Sequence, residues 1–123
     1  MTYLLLRGES MGGKFEIFLG KNDEFYFRLK AGNGQIILGS EGYTTKANCQ
    51  NGVASVIKHA TDDKRYERKV TGSEKFMFNL KSSNGQIIGT SQLYGTEQAR
   101  ETGINSVKNN AGTAEIVDLT IEK

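Results

Sequence analysis

The run Phe-Tyr-Phe-Arg-Leu-Lys at 25–30 and its echo Phe-Met-Phe-Asn-Leu-Lys at 76–81 alternate apolar and polar positions, the period of a half-buried strand. Each is followed by an Asn-Gly pair, Asn33-Gly34 and Asn84-Gly85, and then by an apolar run. Asn-Gly between alternating runs predicts a two-residue type I′ hairpin turn, in which both central residues take positive φ. A further strand precedes each hairpin, at Lys14–Leu19 and at Arg65–Val70, joined through the polar loops 20–24 and 71–75. After Tyr43 and Tyr94 the period changes. Thr45 and Thr96 read as helix N-caps, each offering a hydroxyl to an unpaired N–H of the first turn, with helices over 46–59 and 97–110. Residues 49, 52, 53, 56, 57 and 60 form one face of the first helix; Gly103, Ile104, Val107 and Ala111 keep that face in the second. A glycine inside a helix costs about 1 kcal/mol against alanine, so Gly52 and Gly103 imply a close approach of helix to sheet.

The two stretches are copies. Shifted by 51 positions, residues 25–60 fall on 76–111 without a gap and with 16 identities in 36 positions, where chance gives about two. Lys14-Phe15-Glu16 matches Arg65-Tyr66-Glu67, and Glu115–Ile121 falls a third time on that strand position. The parse is an extension over 1–12, one repeat over 13–63, a second over 64–114 and a closing strand over 115–121. No linker composition separates the halves at 60–65, so one shared core is expected. The fold class is two-layer α+β: two tandem β-β-β-α units and a closing strand in a single, mostly antiparallel sheet, with both helices on one face.

Phe-Arg-Leu-Lys-Ala-Gly-Asn-Gly-Gln-Ile-Ile at 27–37, its echo at 78–88 and the Gly-Ile-x-Ser-Val-Lys of 103–108 resemble the YegP-like family of small, mostly bacterial proteins. The resemblance covers about residues 13–120. It implies one sheet built from two β(3)-α-β units with exchanged C-terminal strands, and it carries no assigned active site. Residues 1–12 lie outside the pattern, as an extra strand, an arm or an upstream start, with Met11 where a family member would begin.

Composition narrows the class further. A chain of 123 residues with 37% hydrophobic and 24% charged residues suits one ordinary core. Fifteen glycines and no proline suit many tight turns. A net charge of +2 does not by itself point to nucleic acid or a membrane surface. Cys49 is the only cysteine, which excludes an intramolecular disulfide. The apolar run near the N-terminus is too short for a signal-peptide core, and no stretch reaches the roughly 18 apolar residues of a membrane span. A cytoplasmic location is the expectation.

Candidate chemistry fails on spacing. Gly8 to Lys14 resembles a phosphate-binding loop, but Phe15 stands where the magnesium-holding hydroxyl belongs, and a strand follows instead of a helix. The glycines at 32, 34 and 39 lack dinucleotide spacing and lie in a hairpin. Cys49 and His59, ten positions apart on one helix, are separated by about 15 Å along its axis, beyond hydrogen-bond reach. No further ligands complete a zinc site. Cys49 is expected at the edge of the core and His59 at a solvated helix end. Asp62-Asp63 reads as a polar turn, and Glu16 as the cross-strand ion-pair partner of Arg28. No catalytic, metal or cofactor site is expected, and the chain is read as a non-enzymatic module.

One surface remains. With Asn33-Gly34 as the turn, Phe25, Phe27, Leu29, Ile36 and Leu38 point to the helices. The opposite face then carries Lys14, Glu16, Phe18, Tyr26, Arg28, Lys30 and Ile37, echoed by Arg65, Glu67, Lys69, Met77, Asn79, Lys81 and Ile88. Six basic residues against two acidic ones give this face +4, twice the net charge of the chain. Phe18, Tyr26, Ile37, Met77 and Ile88 among Arg28, Lys30, Lys69 and Lys81 form a mixed apolar and basic patch suited to a protein partner, self-association included. Interleaved aromatics and cations also suit single-stranded nucleic acid. No aromatic stands at the echoed sites Lys69 and Met77, however, and Phe18 with Tyr26 reads equally as a packing pair. The protein partner is the favoured reading, on a monomer or a weakly self-associating chain.

Overall fold

The structure, a computed structural model, describes residues 13–121; the expected 1–12 extension lies outside the described residues. Its elements are β1 (Lys14–Leu19), β2 (Phe25–Lys30), β3 (Ile36–Gly39), α1 (Lys46–His59), β4 (Tyr66–Val70), β5 (Phe76–Lys81), β6 (Ile87–Thr90), α2 (Glu97–Asn110) and β7 (Glu115–Asp118), with one turn of 3₁₀ helix at Asp63–Arg65 before β4. Both helices start where their caps predict: Thr45 accepts from the Asn48 N–H at 3.1 Å and Thr96 from the Ala99 N–H at 3.0 Å.

All seven strands form one sheet, in the order β4-β5-β6-β3-β2-β1-β7. Every pairing is antiparallel except β1 with β7, which run parallel with Phe15 beside Ile116 and Ile17 beside Asp118. The last strand of the second repeat therefore closes the edge of the first repeat, as the resemblance implies. The repeats meet at Gly39 and Thr90, which pair across β3 and β6. These two residues are 51 apart and so are each other's counterparts, which puts the pseudo-twofold axis between them. Each helix crosses this seam: α1 packs on β2 of its own repeat and β6 of the other, and α2 on β5 and β3.

Helices and sheet enclose a single core. Phe15, Phe27, Leu29, Leu38, Phe78, Leu80, Val56 and Val107 are completely buried in it. Each such side chain contributes about 1.5–3 kcal/mol through removal of apolar surface from water. Cys49 lies inside this core, not at its edge as the sequence suggested, because α1 turns it directly onto the sheet. Its counterpart Arg100 is also buried, with its guanidinium 3.1 Å from Glu101 and 5.4 Å from the centre of the Phe76 ring. Glu101 in turn holds Arg68 of β4 at 3.0 Å, and Arg68 reaches Asp63 at 3.0 Å, so ion pairs tie α2 to the outermost strand.

The hairpins differ from the two-residue turn expected. In each Asn-Gly pair the glycine alone has positive φ, +87° at both Gly34 and Gly85; Asn33 and Asn84 do not. Gly34 N–H donates to Ala31 O and Ala31 N–H to Gln35 O, which defines a three-residue loop, and the second repeat does the same between Ser82 and Gln86. Asn33 and Asn84 accept from the N–H groups of Gln35 and Gln86 through their side chains. The extra loop residue is absorbed by a bulge: Leu29 pairs with Leu38, but Lys30 pairs with Ile36. A bulge re-aims the side chains around it. Ile36 and Ile87 consequently turn outwards, and Ile37 and Ile88 turn into the core, the reverse of the assignment from parity.

Candidate functional site

The outer face of the sheet, opposite the helices, carries Phe18, Tyr26, Arg28, Lys30, Lys69, Met77 and Lys81 as expected from strand parity. Ile37 and Ile88 are corrected out of it, for the bulges bury them to 4% and 9% exposure, and Ile36 and Ile87 take their places. Arg65 leaves the face as well, since it ends the 3₁₀ turn with Nε 3.3 Å from the Asp62 carboxylate. Five basic side chains then stand against Glu16 and Glu67, so the face keeps a net charge of +3.

Those charges are organised into pairs. Arg28 Nε donates to Glu16 at 2.7 Å, Lys30 Nζ lies 3.2 Å from the same oxygen, and the Arg28 guanidinium sits 4.3 Å above the Phe18 ring. Phe18 and Tyr26 stack with ring centres 5.6 Å apart. Burial would raise the Glu16 carboxyl, but the hydrogen bonds and charges of Arg28 and Lys30 outweigh it and hold the group below its ordinary value. In the second repeat Glu67 accepts from Asn79 at 3.1 Å and pairs with Lys81 at 3.3 Å, and Asn79 accepts from Thr90 at 2.9 Å. The first half of the face is thus aromatic and cationic, the second polar.

A second site was not foreseen. Between α1 and the β5–β6 hairpin lies a cleft of about 420 Å³, bounded by Asn48, Asn51, Gly52 and Ser55 from the helix, with Tyr43 beside them. Ser82, Ser83, Asn84 and Gln86 form the opposite wall, and Ile88 contributes to the floor. His59 anchors this end of the helix and is corrected from a solvated position to 8% exposure. Its Nδ1 donates to Ser55 O at 2.8 Å, which leaves Nε2 to accept from the Ser83 N–H at 3.3 Å. The cleft spans the two repeats, so no single stretch of sequence announces it; the alternation of amides and hydroxyls at 48, 51, 82, 83, 84 and 86 was the only signal. A smaller apolar groove, with Ile57 37% and Ile116 54% exposed, runs between α1 and β7.

Burial pushes the Cys49 thiol up to about 11, with Asp118 adding to the effect, which keeps it protonated and a poor nucleophile at neutral pH. Asp62 caps the 3₁₀ turn by accepting from the Lys64 N–H, and Asp63 pairs with Arg68 and Lys108. Among the described residues no group of His, Cys, Asp and Glu is arranged to hold a metal ion, and no helix is long and apolar enough to cross a membrane.

The fold and these surfaces define a class of two-layer α+β proteins made from a duplicated β-β-β-α unit. The chain belongs to the family described as a domain of unknown function, DUF1508, whose model matches twice, at residues 21–67 and 73–118. It is 59% identical over 109 residues to the UPF0339 protein of the ptx operon 5′ region of Stutzerimonas stutzeri, covering 89% of this chain and 98% of that one. With the UPF0339 protein YegP of Escherichia coli K12 it shares 49% identity over 110 residues, which cover 89% of this chain and all of the other. The solution NMR structure of YegP from E. coli superposes with a TM-score of 0.85 over 91% of this chain and 97% of that one, at 48% identity. The UPF0339 protein of Shewanella oneidensis, also solved by NMR, gives 0.84 over 89% and 92%, again at 48% identity. These relatives are uncharacterised, and their names indicate no enzymatic or other specific function.

Proposed function

We propose that the chain is a non-enzymatic binding module that meets a protein partner on the outer face of its sheet. The observation that supports this is a continuous face over which no helix lies among the described residues, and on which the Phe18–Tyr26 stack and Arg28 adjoin the outward Ile36, Met77 and Ile87. Aromatic and arginine side chains are the usual anchors of protein interfaces. Lys30 and Lys81, flanking the patch, set charge preference at its rim. The single, buried cysteine suits a reducing compartment, and we place the protein in the cytoplasm.

The test is recovery of partners on immobilised full-length chain, wild type against Lys30→Glu/Lys81→Glu and against Tyr26→Ala. Proteins retained by the wild type and lost from both variants support the reading. Equal retention by all three overturns it.

The net +3 of the face favours single-stranded nucleic acid as a second reading. Arg28, Lys30 and Lys81 are already turned towards Glu16 and Glu67, which lowers what they offer a phosphate. A labelled chain titrated with a short mixed-sequence single strand decides between the two. Amide shifts at Tyr26, Arg28, Lys30 and Lys81 that fade with added salt, through counterion release, select nucleic acid; silence at low and moderate salt removes it.

A further inference from the structure

Among the described residues the lining of the cleft between α1 and the β5–β6 hairpin contains no charged side chain, in a chain in which 24% of residues are charged. Each polar side chain in it is an amide or a hydroxyl, a group that both donates and accepts hydrogen bonds. The amide groups of Asn48 and Asn51 have no side-chain partner among the described residues, and neither does the Tyr43 hydroxyl.

The duplication supplies an internal control. What the shared fold requires at this place is present in both repeats: Tyr43 and Tyr94, Gly52 and Gly103, Asn84 and Asn33, Ile88 and Ile37. Elsewhere the pseudosymmetric place, between α2 and the β2–β3 hairpin, manages with less, having Ala99 for Asn48, Ala31 for Ser82 and Gly32 for Ser83. Helix, hairpin and seam form equally well around those smaller residues. The amide and the two hydroxyls are thus surplus to the fold, and all three border the same cleft.

We infer that this cleft binds a neutral saccharide. A charged ligand would lose hydration there without gaining a counter-charge. A sugar hydroxyl is itself both donor and acceptor, and two neighbouring hydroxyls match the N–H and C=O of one side-chain amide. Ile88 gives the C–H face of a ring an apolar contact. A volume of about 420 Å³ falls within the roughly 300–1,000 Å³ of small-molecule sites. The site is independent of the outer-face reading, since it lies on the helix side of the sheet.

The experiment is an amide NMR titration of the labelled full chain with neutral mono- and disaccharides (glucose, galactose, N-acetylglucosamine, maltose and cellobiose) up to tens of millimolar. Saturable shifts at Asn48, Asn51, Ser83 and Asn84 with at least one sugar are expected. Asn48→Ala and Ser83→Gly each introduce the residue that the other repeat carries at that position, so the fold is retained, and each should weaken binding by about tenfold, the cost of a lost hydrogen bond or two. No saturable shift with any sugar overturns the proposal. So does binding that both variants leave unchanged, shifts confined to the outer face, or the same shifts with a blocked alanine peptide or inorganic phosphate.

Discussion

Leu38 and Gly89 hold the same position in the two repeats, and they meet at the seam: a Cβ built on Gly89 would lie 2.6 Å from Leu38 Cδ2 and 2.7 Å from its Cγ. Near the pseudo-twofold axis between Gly39 and Thr90, counterpart residues compete for one space, and a leucine in one copy requires a glycine in the other. Gly89→Ala should therefore destabilise the chain by about 1–3 kcal/mol through overpacking. Leu38→Gly combined with Gly89→Leu moves the side chain to the other side of the axis and should recover most of the loss of either single change. Urea unfolding of the two single variants and the double one measures this; additive losses would mean that the seam is not pseudosymmetric in packing.

Gly52 shows the same logic on a helix. A Cβ there would sit 2.5 Å from the Tyr43 hydroxyl and 2.9 Å from the Phe27 ring, and at Gly103 it would sit 2.4 Å from the Tyr94 hydroxyl. Gly52→Ala gains helix propensity worth about 1 kcal/mol but meets this crowding, so a net loss of about 1–2 kcal/mol is expected. Tyr43→Phe in the same chain removes the nearest atom and should return part of it. A double-mutant cycle by chemical denaturation reads the coupling, and a coupling of zero would show that the phenol is not what demands glycine.

Why these features divide into legible and illegible follows from the range of the interactions. Both caps, both helix spans and the Glu16–Arg28 pair were readable because each depends on neighbours in the chain or on strand parity. The hairpins were misread because Asn-Gly is common to two-residue and three-residue turns, and only the compensating bulge after Leu29 distinguishes them. That one inserted residue exchanged Ile36 with Ile37 and Ile87 with Ile88, and with them part of the candidate face. His59 was placed in solvent because its burial comes from Ser83, 24 residues away in the other repeat. The cleft has the same origin and was invisible for the same reason.

His59 offers a test of that long-range contact. Its counterpart Asn110 bonds back to Ser106 O at 2.7 Å and is too short for the second reach that His59 Nε2 makes to the Ser83 N–H. His59→Asn should keep the helix end and lose the tie to the hairpin, at a cost of about 1 kcal/mol for one partly buried hydrogen bond. The localised reading is hydrogen exchange: the Ser83 amide should exchange faster while the amides of α1 keep their protection. Unchanged exchange at Ser83 would show that the histidine does not hold the hairpin.

Asp118 ends β7 and fastens it to the molecule. Its carboxylate accepts from Thr120, through the side-chain hydroxyl at 2.5 Å and the N–H at 2.8 Å, and from Lys46 of α1 at 2.9 Å. The Thr120 hydroxyl and then Lys46 hold it down at about 2, against an ordinary value of 3.8. A carboxyl with a lower value folded than unfolded adds stability above its unfolded value, and that stability drains away as the pH falls through the folded one. The contribution of Asp118 should therefore be complete above about pH 4 and lost towards pH 2. Among the described residues β7 has one neighbour in the sheet, the parallel strand β1, so its loosening need not wait for the core. Amide protection at Val117 and Leu119 should fall across that window before protection in β2 and β5 does. Asp118→Asn keeps the shape but loses the charge, so its β7 should already be less protected at neutral pH and should respond less to acid. Identical acid profiles for the variant and the wild type would assign the acid sensitivity to other carboxylates, Glu16 and Glu101 first, since their values are also lowered by arginine partners.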